Sequence, residues 1–265
     1  MAREYTDSRD PYLKIAAEIR RKITRGDLAP GVKLPTVMQL MEQFGSASNT
    51  TIQKALQVLK DEEIIEGRPG KGVFVRQHGQ QPIEPLAFMA PAAPGEPYKW
   101  MTEAARNHQV GGAQLVDVAV VTPPAEVASA LELEEGELAL LRKLVLTLDG
   151  EPTELTRSYY PLSLSEGTPM MERRKIKGGT PTLLNEMGYP PREFIDDVSA
   201  ETPTEEEAVA LELPKGMPVL VAFRVVYSDG GRPIEATLMT KAAHRYRMRY
   251  RLQVPRGEEA AGEAP

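Results

Sequence analysis

These 265 residues carry the pattern of an α+β protein with two domains, a small helical one and a larger one built on a mostly antiparallel sheet. Three features lead to this expectation. Three amphipathic helical segments are followed by two short β-branched runs, a proline-rich segment comes next, and the remainder repeats itself after 80 residues. The length also suits two hydrophobic cores, because single domains usually hold about 100–200 residues.

The composition excludes several kinds of chemistry. The chain has no cysteine, which rules out disulfides, thiolate nucleophiles and zinc–thiolate sites. Its three histidines, His78, His108 and His244, match no metal-ligand spacing, and we expect neither a metal nor a cofactor. The polar start is unlike a signal peptide, and no apolar run reaches the roughly 18 residues of a membrane span. A cytoplasmic protein without a membrane partner is therefore expected.

The first two helical segments each present an apolar stripe. The first segment ends at Gly26, and the second begins after Leu34-Pro35. The stripe residues, spaced as on one face of a helix, are Leu13, Ala16, Ile19 and Ile23 in the first segment and Val37, Leu40, Met41 and Phe44 in the second.

The third helical segment separates an apolar face from a polar one. Ser48 stands where its hydroxyl can accept a hydrogen bond from the free amides of the first turn. The inward residues are Ile52, Ala55, Leu56 and Leu59, and the outward residues are Asn49, Thr50, Gln53, Lys54 and Gln57. The outward set has donors and acceptors that suit base edges and phosphates, although a plain surface helix would show the same pattern.

Two β-branched runs between residues 64 and 75 predict a β-hairpin. Its turn contains Arg68, Gly70, Lys71 and Gly72, where glycines permit close backbone approach and the cations suit phosphates or a minor groove. Three helices followed by a basic hairpin predict a winged helix-turn-helix domain. A net charge of -6 would oppose DNA binding if it were spread evenly, but Tyr12 to Lys60 contains eight basic and three acidic residues. Residues 80–265 hold more acidic than basic residues, so the acidity belongs to the second domain.

This part of the chain resembles the GntR family of bacterial transcription regulators. The segments that carry the resemblance are Tyr12-Leu13, Pro30-Gly31-x-x-Leu34-Pro35-Thr36, Thr51-Ile52-x-x-Ala55-Leu56-x-x-Leu59 and Gly70-Lys71-Gly72-Val73-Phe74-Val75. The resemblance implies a homodimer on a pseudo-palindromic double-stranded DNA operator, read by the third helix and the hairpin. The expected DNA-binding residues are Thr36, Gln39, Ser48, Asn49, Thr50, Thr51, Gln53, Lys54, Arg68, Gly70, Lys71 and Gly72.

Composition places the domain boundaries. We expect the winged helix-turn-helix domain in residues 1–78, a Pro-rich extended linker in 79–97, an effector-binding and dimerisation domain in 98–253 and a disordered acidic tail in 254–265. The linker holds five prolines, which fix φ and remove amide donors.

The second domain contains an internal repeat. When residue i is placed over residue i+80, 15 of the 34 positions between 117 and 150 are identical. Each copy reads as a strand, a short helix after Thr-Pro (Thr122 and Thr202) and two strands joined at an Asp-Gly turn. The copies predict two halves related by a pseudo-twofold axis, with helices on one face of the sheet.

The repeat region resembles the UTRA effector domain, a chorismate-lyase-like fold, found in the HutC branch of GntR regulators. The motifs are Asp149-Gly150-Glu151-Pro152, Arg157-Ser158-Tyr159-Tyr160-Pro161, Gly179-Thr180, Arg232-Pro233-Ile234-Glu235 and Arg245-Tyr246. The resemblance implies a bound small molecule, and strand-end polar groups that meet at a pseudo-twofold make a natural ligand site. The expected effector-binding residues are Arg142, Glu154, Arg157, Ser158, Tyr160, Thr180, Glu235 and Tyr246.

One departure bears on the effector. Members of the family that bind phosphosugars have an arginine pair before the strand turn, and the matching positions here are Leu144 and Leu146. Leucines cannot form the bidentate bonds that a phosphate needs, so the effector stays unidentified.

Three functions remain open at this stage. The first is a repressor whose operator affinity responds to a small effector. The second is a repressor whose second domain only dimerises or binds protein, as in a regulator of plasmid transfer. The third, a chorismate-lyase-like enzyme, is disfavoured because the sequence offers no cysteine, no histidine set and no metal-ligand spacing, and we expect no enzyme activity.

Overall fold

The computed structural model describes residues 8–76, 81–93, 95–214 and 216–252. The first domain consists of helices α1 (Pro11–Arg25), α2 (Val37–Gln43) and α3 (Asn49–Asp61) and strands β1 (Ile65–Arg68) and β2 (Gly72–Val75). The strands pair antiparallel, so the three helices and the hairpin expected from the sequence are confirmed.

Local sequence signals explain where these helices begin and end. Gly26 ends α1 in the left-handed conformation, with φ at 86°. The Thr36 hydroxyl accepts from the Gln39 amide while the Gln39 side chain accepts from Thr36, which forms a capping box at α2. Ser48 caps α3 by accepting from the Thr51 amide, as the sequence predicts.

The core of the first domain joins all three helices to the hairpin. Its fully buried residues are Ile15, Ala16, Ile19, Leu34, Leu40, Ile52, Ala55, Leu56, Leu59, Ile65 and Val75. The inward face predicted for α3 is therefore confirmed, whereas Ile15 of α1 was not expected in the core. Residues 31–34 add backbone hydrogen bonds to β2, including Leu34 N to Val73 O at 2.8 Å, an association that the sequence did not predict.

The segment expected as an extended linker instead contributes to the second domain. It forms strand β3 (Gln81–Ile83) and helix α4 (Leu86–Met89), and helix α5 (Lys99–Arg106) follows it. Strand β3 pairs parallel with residues 246–248, and Ile83 and Phe88 pack with Trp100. Apolar side chains lie between the prolines of this segment. Their burial stabilises the packed conformation and outweighs the tendency of proline to keep the chain extended. The expected tail, 254–265, lies outside the described residues.

The second domain is a six-stranded antiparallel sheet. Its remaining elements are β4 (Gly111–Val121), α6 (Ala125–Ala130), β5 (Ala139–Leu148), β6 (Glu151–Pro161), α7 (Leu162–Ser165), α8 (Thr180–Glu186), β7 (Glu193–Glu201), α9 (Glu205–Ala210), β8 (Val219–Tyr227), β9 (Pro233–Ala242) and β10 (Tyr246–Met248). The six strands follow the order β4-β5-β6-β9-β8-β7. The α+β class and the mostly antiparallel sheet are confirmed.

The sheet order shows the repeat directly. The first copy contributes β4, α6, β5 and β6, the second contributes β7, α9, β8 and β9, and the last strands of the two copies pair at the centre. Even the backbone irregularities recur at a separation of 80 residues, since Glu132 and Glu212 have φ of 54° and 49°. The repeated sequence therefore folds as two matching halves.

Both faces of the sheet are covered, which corrects the expectation of helices on one face. Val127 of α6 packs with Tyr159, Phe223 and Ala236 on one face. Leu164 of α7 and Leu184 of α8 pack with Leu140, Tyr160 and Val226 on the other. The helices of this second layer come from the segments before and between the two copies. These segments are not repeated, so the repeat did not predict a second layer.

No helix in the described ranges is both long and apolar enough to cross a bilayer.

Replacing Leu140 by alanine is expected to destabilise the second domain. Leu140 is 1% exposed between β4, β6, α7 and α8, so truncation leaves a cavity and should cost about 2–5 kcal/mol of unfolding free energy. Leu138→Ala is the control, because Leu138 is 39% exposed and should change the free energy by less than about 0.5 kcal/mol. Urea denaturation measures both, and equal effects would contradict the assigned core.

Candidate functional site

The outward face of α3 is polar and accessible. Asn49, Thr50, Gln53, Lys54 and Gln57 are exposed, while the opposite face of the helix is buried in the core. The Lys54 ammonium lies 5.9 Å from the centre of the Tyr12 ring, and Gln57 donates to Asp61 at 2.6 Å. Asn49, Thr50 and Gln53 at the N-terminal end of the helix present side chains that can reach base edges.

Four of the expected DNA-binding residues also hold their own helices in place. The Ser48 hydroxyl lies 2.8 Å from the Thr51 hydroxyl and accepts from the Thr51 amide at 3.1 Å. The Gln39 side-chain oxygen accepts from the Thr36 amide at 2.8 Å and from its hydroxyl at 2.9 Å. All four are at helix N-termini, where amides without intrahelical partners attract phosphates. Their contact with DNA stays a prediction.

The two cations of the hairpin have different surroundings. Arg68 stacks on Phe74, with its guanidinium carbon 4.5 Å from the ring centre, and pairs with Glu66 at 2.8 Å. Lys71 is exposed at the tip between two glycines, and Gly70 and Gly72 have φ of 70° and 112°. A Cβ on Gly72 would also lie 2.7 Å from the side chain of Lys33. Lys71 is thus the cation that the hairpin holds out to solvent.

A cavity of about 460 Å³ lies on one face of the second domain's sheet. Its floor consists of alternate residues from adjacent strands, because side chains of one parity point to the same face. The floor residues are Ala113 on β4, Arg142, Leu144 and Leu146 on β5, Glu154, Thr156 and Ser158 on β6, Arg224 on β8 and Glu235, Thr237, Met239 and Lys241 on β9. The size falls within the range typical of small-molecule sites.

The roof of the cavity is largely apolar and aromatic. It is built from Phe88, Tyr98 and Trp100, together with the loop of residues 175–181 that includes Thr180. The Trp100 ring lies 5.9 Å from Phe88, and its nitrogen donates to Gly112 O at 3.1 Å. Gly179 has φ of 84°, and a Cβ there would lie 2.4 Å from the Tyr98 ring, so the loop and Tyr98 meet closely. The segment expected as a linker therefore contributes Phe88 to the roof, while Tyr98 and Trp100 follow that segment directly.

A polar row crosses the floor in register over five strands. Arg142 pairs with Ser158, Ser158 with Thr237, Thr237 with Arg224, and Arg224 with Asp196. Arg224 donates to both Asp196 oxygens at 2.6 and 2.7 Å and lies 4.3 Å from the Phe194 ring. The Arg142 guanidinium donates to the backbone carbonyls of Met170, Glu172 and Arg174. Arg142 thus holds the 170–174 segment against the sheet.

Lys241 and Glu154 form a buried ion pair on neighbouring central strands. Their side chains are 4% and 5% exposed, and Lys241 Nζ lies 2.5 Å from Glu154 Oε2. The Thr156 hydroxyl donates to the other Glu154 oxygen at 2.9 Å. A buried pair of this kind is costly to break, because loss of one partner leaves the other as an uncompensated charge.

Glu235 differs from the other charged groups of the cavity. Its Oε1 accepts from the Thr237 hydroxyl at 2.6 Å, and Thr237 in turn lies 2.8 Å from the Ser158 hydroxyl. In the part of the chain that the structure describes, no basic side chain forms an ion pair with Glu235. Burial raises the pKa of the Glu235 carboxyl, and hydrogen bonds from Thr237, Ser158 and Tyr160, together with the nearby Arg224 charge, lower it only in part. Burial also raises the pKa of Tyr98, which the nearby Glu154 and Glu235 raise further.

Five of the eight expected effector residues line the cavity, namely Arg142, Glu154, Ser158, Thr180 and Glu235. Tyr160, 1% exposed, does not line the cavity but lies next to Ser158 on the same face of β6, where it interacts with Glu235, Thr180 and Ser158. Tyr246 is also 1% exposed, donates to the Thr153 hydroxyl at 2.6 Å and borders a smaller neighbouring cavity of about 220 Å³.

The expectation for Arg157 is wrong. Arg157 lies on the opposite face of the sheet and pairs with Glu206 at 2.9 Å and Glu207 at 3.1 Å. Strand alternation explains this, because Arg157 has the opposite parity from Glu154 and Ser158. The same alternation, counted from Glu235, leads to Thr237, Met239 and Lys241, which the sequence analysis missed.

A cluster of charged residues joins the two domains. Glu63, two residues after α3, accepts from Arg76 at 2.6 Å and from Arg245 at 3.1 Å, and Arg245 also pairs with Glu151. His244 belongs to the same cluster, with its Nε2 3.6 Å from Glu63 Oε2. Burial, together with the charges of Arg245 and Arg76, lowers the pKa of His244 to about 4. His244 is therefore uncharged at neutral pH. Residues 243–245 follow β9 directly, so the strand that lines the cavity leads to the end of α3.

No group of three or more His, Asp or Glu side chains in the described ranges could hold a metal ion.

The chain matches two family models. Residues 106–247 match the UTRA domain, and residues 11–75 match the bacterial regulatory proteins of the gntR family. The first match covers the six-stranded sheet and the floor of the cavity but not Phe88, Tyr98 and Trp100 of the roof, and the second covers the three helices and the hairpin.

Similar proteins share both parts. The chain is 27% identical to the uncharacterized HTH-type transcriptional regulator SCO4628 of Streptomyces coelicolor, over 92% of this chain and 93% of that protein. It is 24% identical to the HTH-type transcriptional repressor NagR of Bacillus subtilis, over 89% and 91%. A crystal structure described as a GntR-family transcriptional regulator is 27% identical, with a TM-score of 0.58 over 93% of this chain and 99% of that one. The chain therefore belongs to the UTRA family, and its first domain matches the gntR family of bacterial regulatory proteins.

Proposed function

We propose that this protein is a transcriptional repressor of the HutC branch, whose affinity for its operator is set by a small molecule bound in the second domain. The observation that carries the proposal is the direct path from cavity to α3. Strand β9 lines the cavity with Glu235, Thr237 and Lys241, and the next residues contact Glu63 at the end of α3. An effector that shifts β9 would therefore shift the recognition helix.

The coupling works through geometry between two DNA-binding domains. A homodimer places two copies of α3 at a fixed separation, and that separation has to match successive major grooves of the operator, about 34 Å apart. A ligand that favours another arrangement of the domains weakens binding by its difference in affinity for the two arrangements, which for such couplings is typically about 1–3 kcal/mol.

An enzymatic role has no support in the cavity. Arg142 and Arg224 are engaged with backbone carbonyls and Asp196, and Lys241 is paired with Glu154. The described residues that line the cavity include no histidine or cysteine, so they offer neither a Ser–His nor a Cys–His pair. We propose binding without turnover.

Selection of sequences from a random duplex DNA pool by the full-length protein tests the proposed function. We expect enrichment of one pseudo-palindromic site, since two copies of α3 would read two inverted half-sites. Failure to enrich any sequence at moderate salt would contradict the proposal. A selected site without inverted repeats would contradict the homodimer.

Gln53→Ala in α3 is expected to weaken specific binding. A bidentate amide contact to adenine is worth about 1–3 kcal/mol, so affinity for the selected site should fall about five- to 150-fold. The change should be largest at one base-pair position. Gln114→Ala is the matched control, because Gln114 is an exposed glutamine of the second domain and should leave affinity unchanged. Fluorescence anisotropy measures both, and unchanged affinity in the Gln53 variant would remove this residue from the interface.

Lys71→Ala at the hairpin tip is expected to act through a phosphate. Binding should weaken similarly on all sequences, and the slope of log affinity against log salt should decrease by about 0.9. Arg68→Ala is the comparison: Arg68 is held by Glu66 and Phe74, and its loss should change the slope less. A larger slope change for Arg68 would reverse the assigned roles.

Arg245→Gln is expected to loosen the connection between the domains, because it removes the ion pairs to Glu63 and Glu151. The chain has no native cysteine, so spin labels on cysteines at exposed Lys14 and Glu126 report one inter-domain distance. The distance distribution should broaden in the variant. Arg173→Gln, which breaks an exposed pair with Asp117 inside the second domain, should leave it unchanged. An unbroadened distribution in Arg245→Gln would show that the cluster does not hold the domains together.

A further inference from the structure

The three cations of the cavity floor all have partners within the protein. Lys241 is neutralised by Glu154 and Arg224 by Asp196, both through contacts of 2.5–2.6 Å. The Arg142 guanidinium donates hydrogen bonds to three backbone carbonyls. Each of these three cations already bonds to a protein group. A phosphate or carboxylate could therefore bind to one of them only if a buried contact were broken.

Glu235 is the carboxylate of the floor that forms no ion pair among the described residues. The residue lines the cavity, is 9% exposed, and has hydroxyl partners in Thr237, Ser158 and Tyr160. Hydroxyls satisfy its lone pairs without neutralising its charge, and the nearby Arg224 is itself paired with Asp196. A buried carboxylate without an ion pair of its own is costly, and a positive ligand group would relieve that cost.

The rest of the cavity favours an apolar body. Leu144 and Met239 lie on either side of Thr156, between the polar row and the Lys241–Glu154 pair, and Leu146 lies beside Glu154. Phe88, Tyr98 and Trp100 form the roof. Aromatic faces attract organic cations as well as apolar groups, through the negative potential above the ring. A sugar with many hydroxyls would leave most of them without partners against these surfaces, which is unfavourable.

Two lysines, Lys175 and Lys177, also border the cavity, but both are exposed. Exposed cations contribute little to the binding of an anion, because water and salt screen them. The buried carboxylate therefore decides the sign of the charge that the cavity prefers.

We propose that the cavity binds an organic amine: a protonated nitrogen placed against Glu235, on an apolar, ring-bearing body held beneath Phe88, Tyr98 and Trp100. This inference rests on the proposed function for the role of the cavity as effector site. It goes beyond that function by naming the chemical class of the effector.

A matched pair of probes tests the inference on the full-length protein. 4-Phenylbutylamine and 4-phenylbutyrate share one apolar body and differ in the charged group, and glucosamine 6-phosphate represents the phosphosugars. Isothermal titration calorimetry measures affinity, and the fluorescence of Trp100, the one tryptophan of the chain, reports binding next to its ring. The amine should bind at least about tenfold more tightly than the acid, as a hydrogen bond to a charged group is worth about 1.5–3 kcal/mol.

Glu235→Gln separates the carboxylate from the shape of the cavity. The preference for the amine over the acid should fall to about threefold or less in this variant, since the amide keeps the size but removes the charge. Glu126→Gln is the matched control, because Glu126 is an exposed carboxylate on α6, away from the cavity, and should keep the full preference. Should Glu235→Gln fail to fold, the amine-to-acid preference of the wild-type protein decides the question alone.

Several results would overturn the inference. They are tighter binding of 4-phenylbutyrate or glucosamine 6-phosphate than of the amine, absence of saturable amine binding at millimolar concentrations, and an unchanged preference in Glu235→Gln. Binding of the protein to selected DNA is measured without any probe. Failure of the amine inference therefore leaves the operator result intact, and failure of the operator result leaves the probe affinities interpretable.

Discussion

The antiparallel pairing of β6 with β9 is the interaction on which the second domain depends. It joins the two copies of the repeat at their last strands, and it brings Glu154 opposite Lys241 and Ser158 opposite Thr237. Residues about 80 positions apart in the chain thus become neighbours in the cavity floor. Because the register of a strand determines which face each side chain occupies, a shift of one residue would move Glu235, Thr237 and Lys241 to the opposite face.

The two halves are alike in backbone but not in chemistry. Arg142 on β5 and Ala222 on β8 occupy matching positions of the repeat, as do Leu144 and Arg224. The pseudo-twofold therefore relates strands while the cavity stays asymmetric, with an apolar β5 side and an Arg224–Asp196 pair on the other side. A ligand cavity needs such asymmetry to orient a molecule that itself has a polar and an apolar end.

The position of β9 also connects recognition of a ligand with recognition of DNA. Residues 233–242 line the cavity, residues 243–245 contact the end of α3, and β10 then pairs with β3, which leads back towards the first domain. A single stretch of chain thus touches the cavity, the recognition helix and the segment between the domains. Short, packed connections of this kind move as units, since packed elements have discrete alternative arrangements.

Local patterns were enough to predict α1, α2, α3 and the hairpin, because helical periodicity, caps and turn glycines act within a few residues. The repeat was visible for a similar reason, as identity at a fixed spacing needs no knowledge of pairing. Contacts across the chain were not predictable in this way. The pairs Lys241–Glu154 and Arg224–Asp196, the docking of residues 31–34 on β2 and the closure of the cavity by residues 83–101 depend on strand order and register. Arg157 is an intermediate case, because its parity already opposed the assignment made for it. The amino-acid pattern alone thus determined which elements form and that two halves match. The tertiary structure decided which charges neutralise one another, and among the described residues it left Glu235 facing the cavity without an ion pair, because strand register places each charge beside its neighbours.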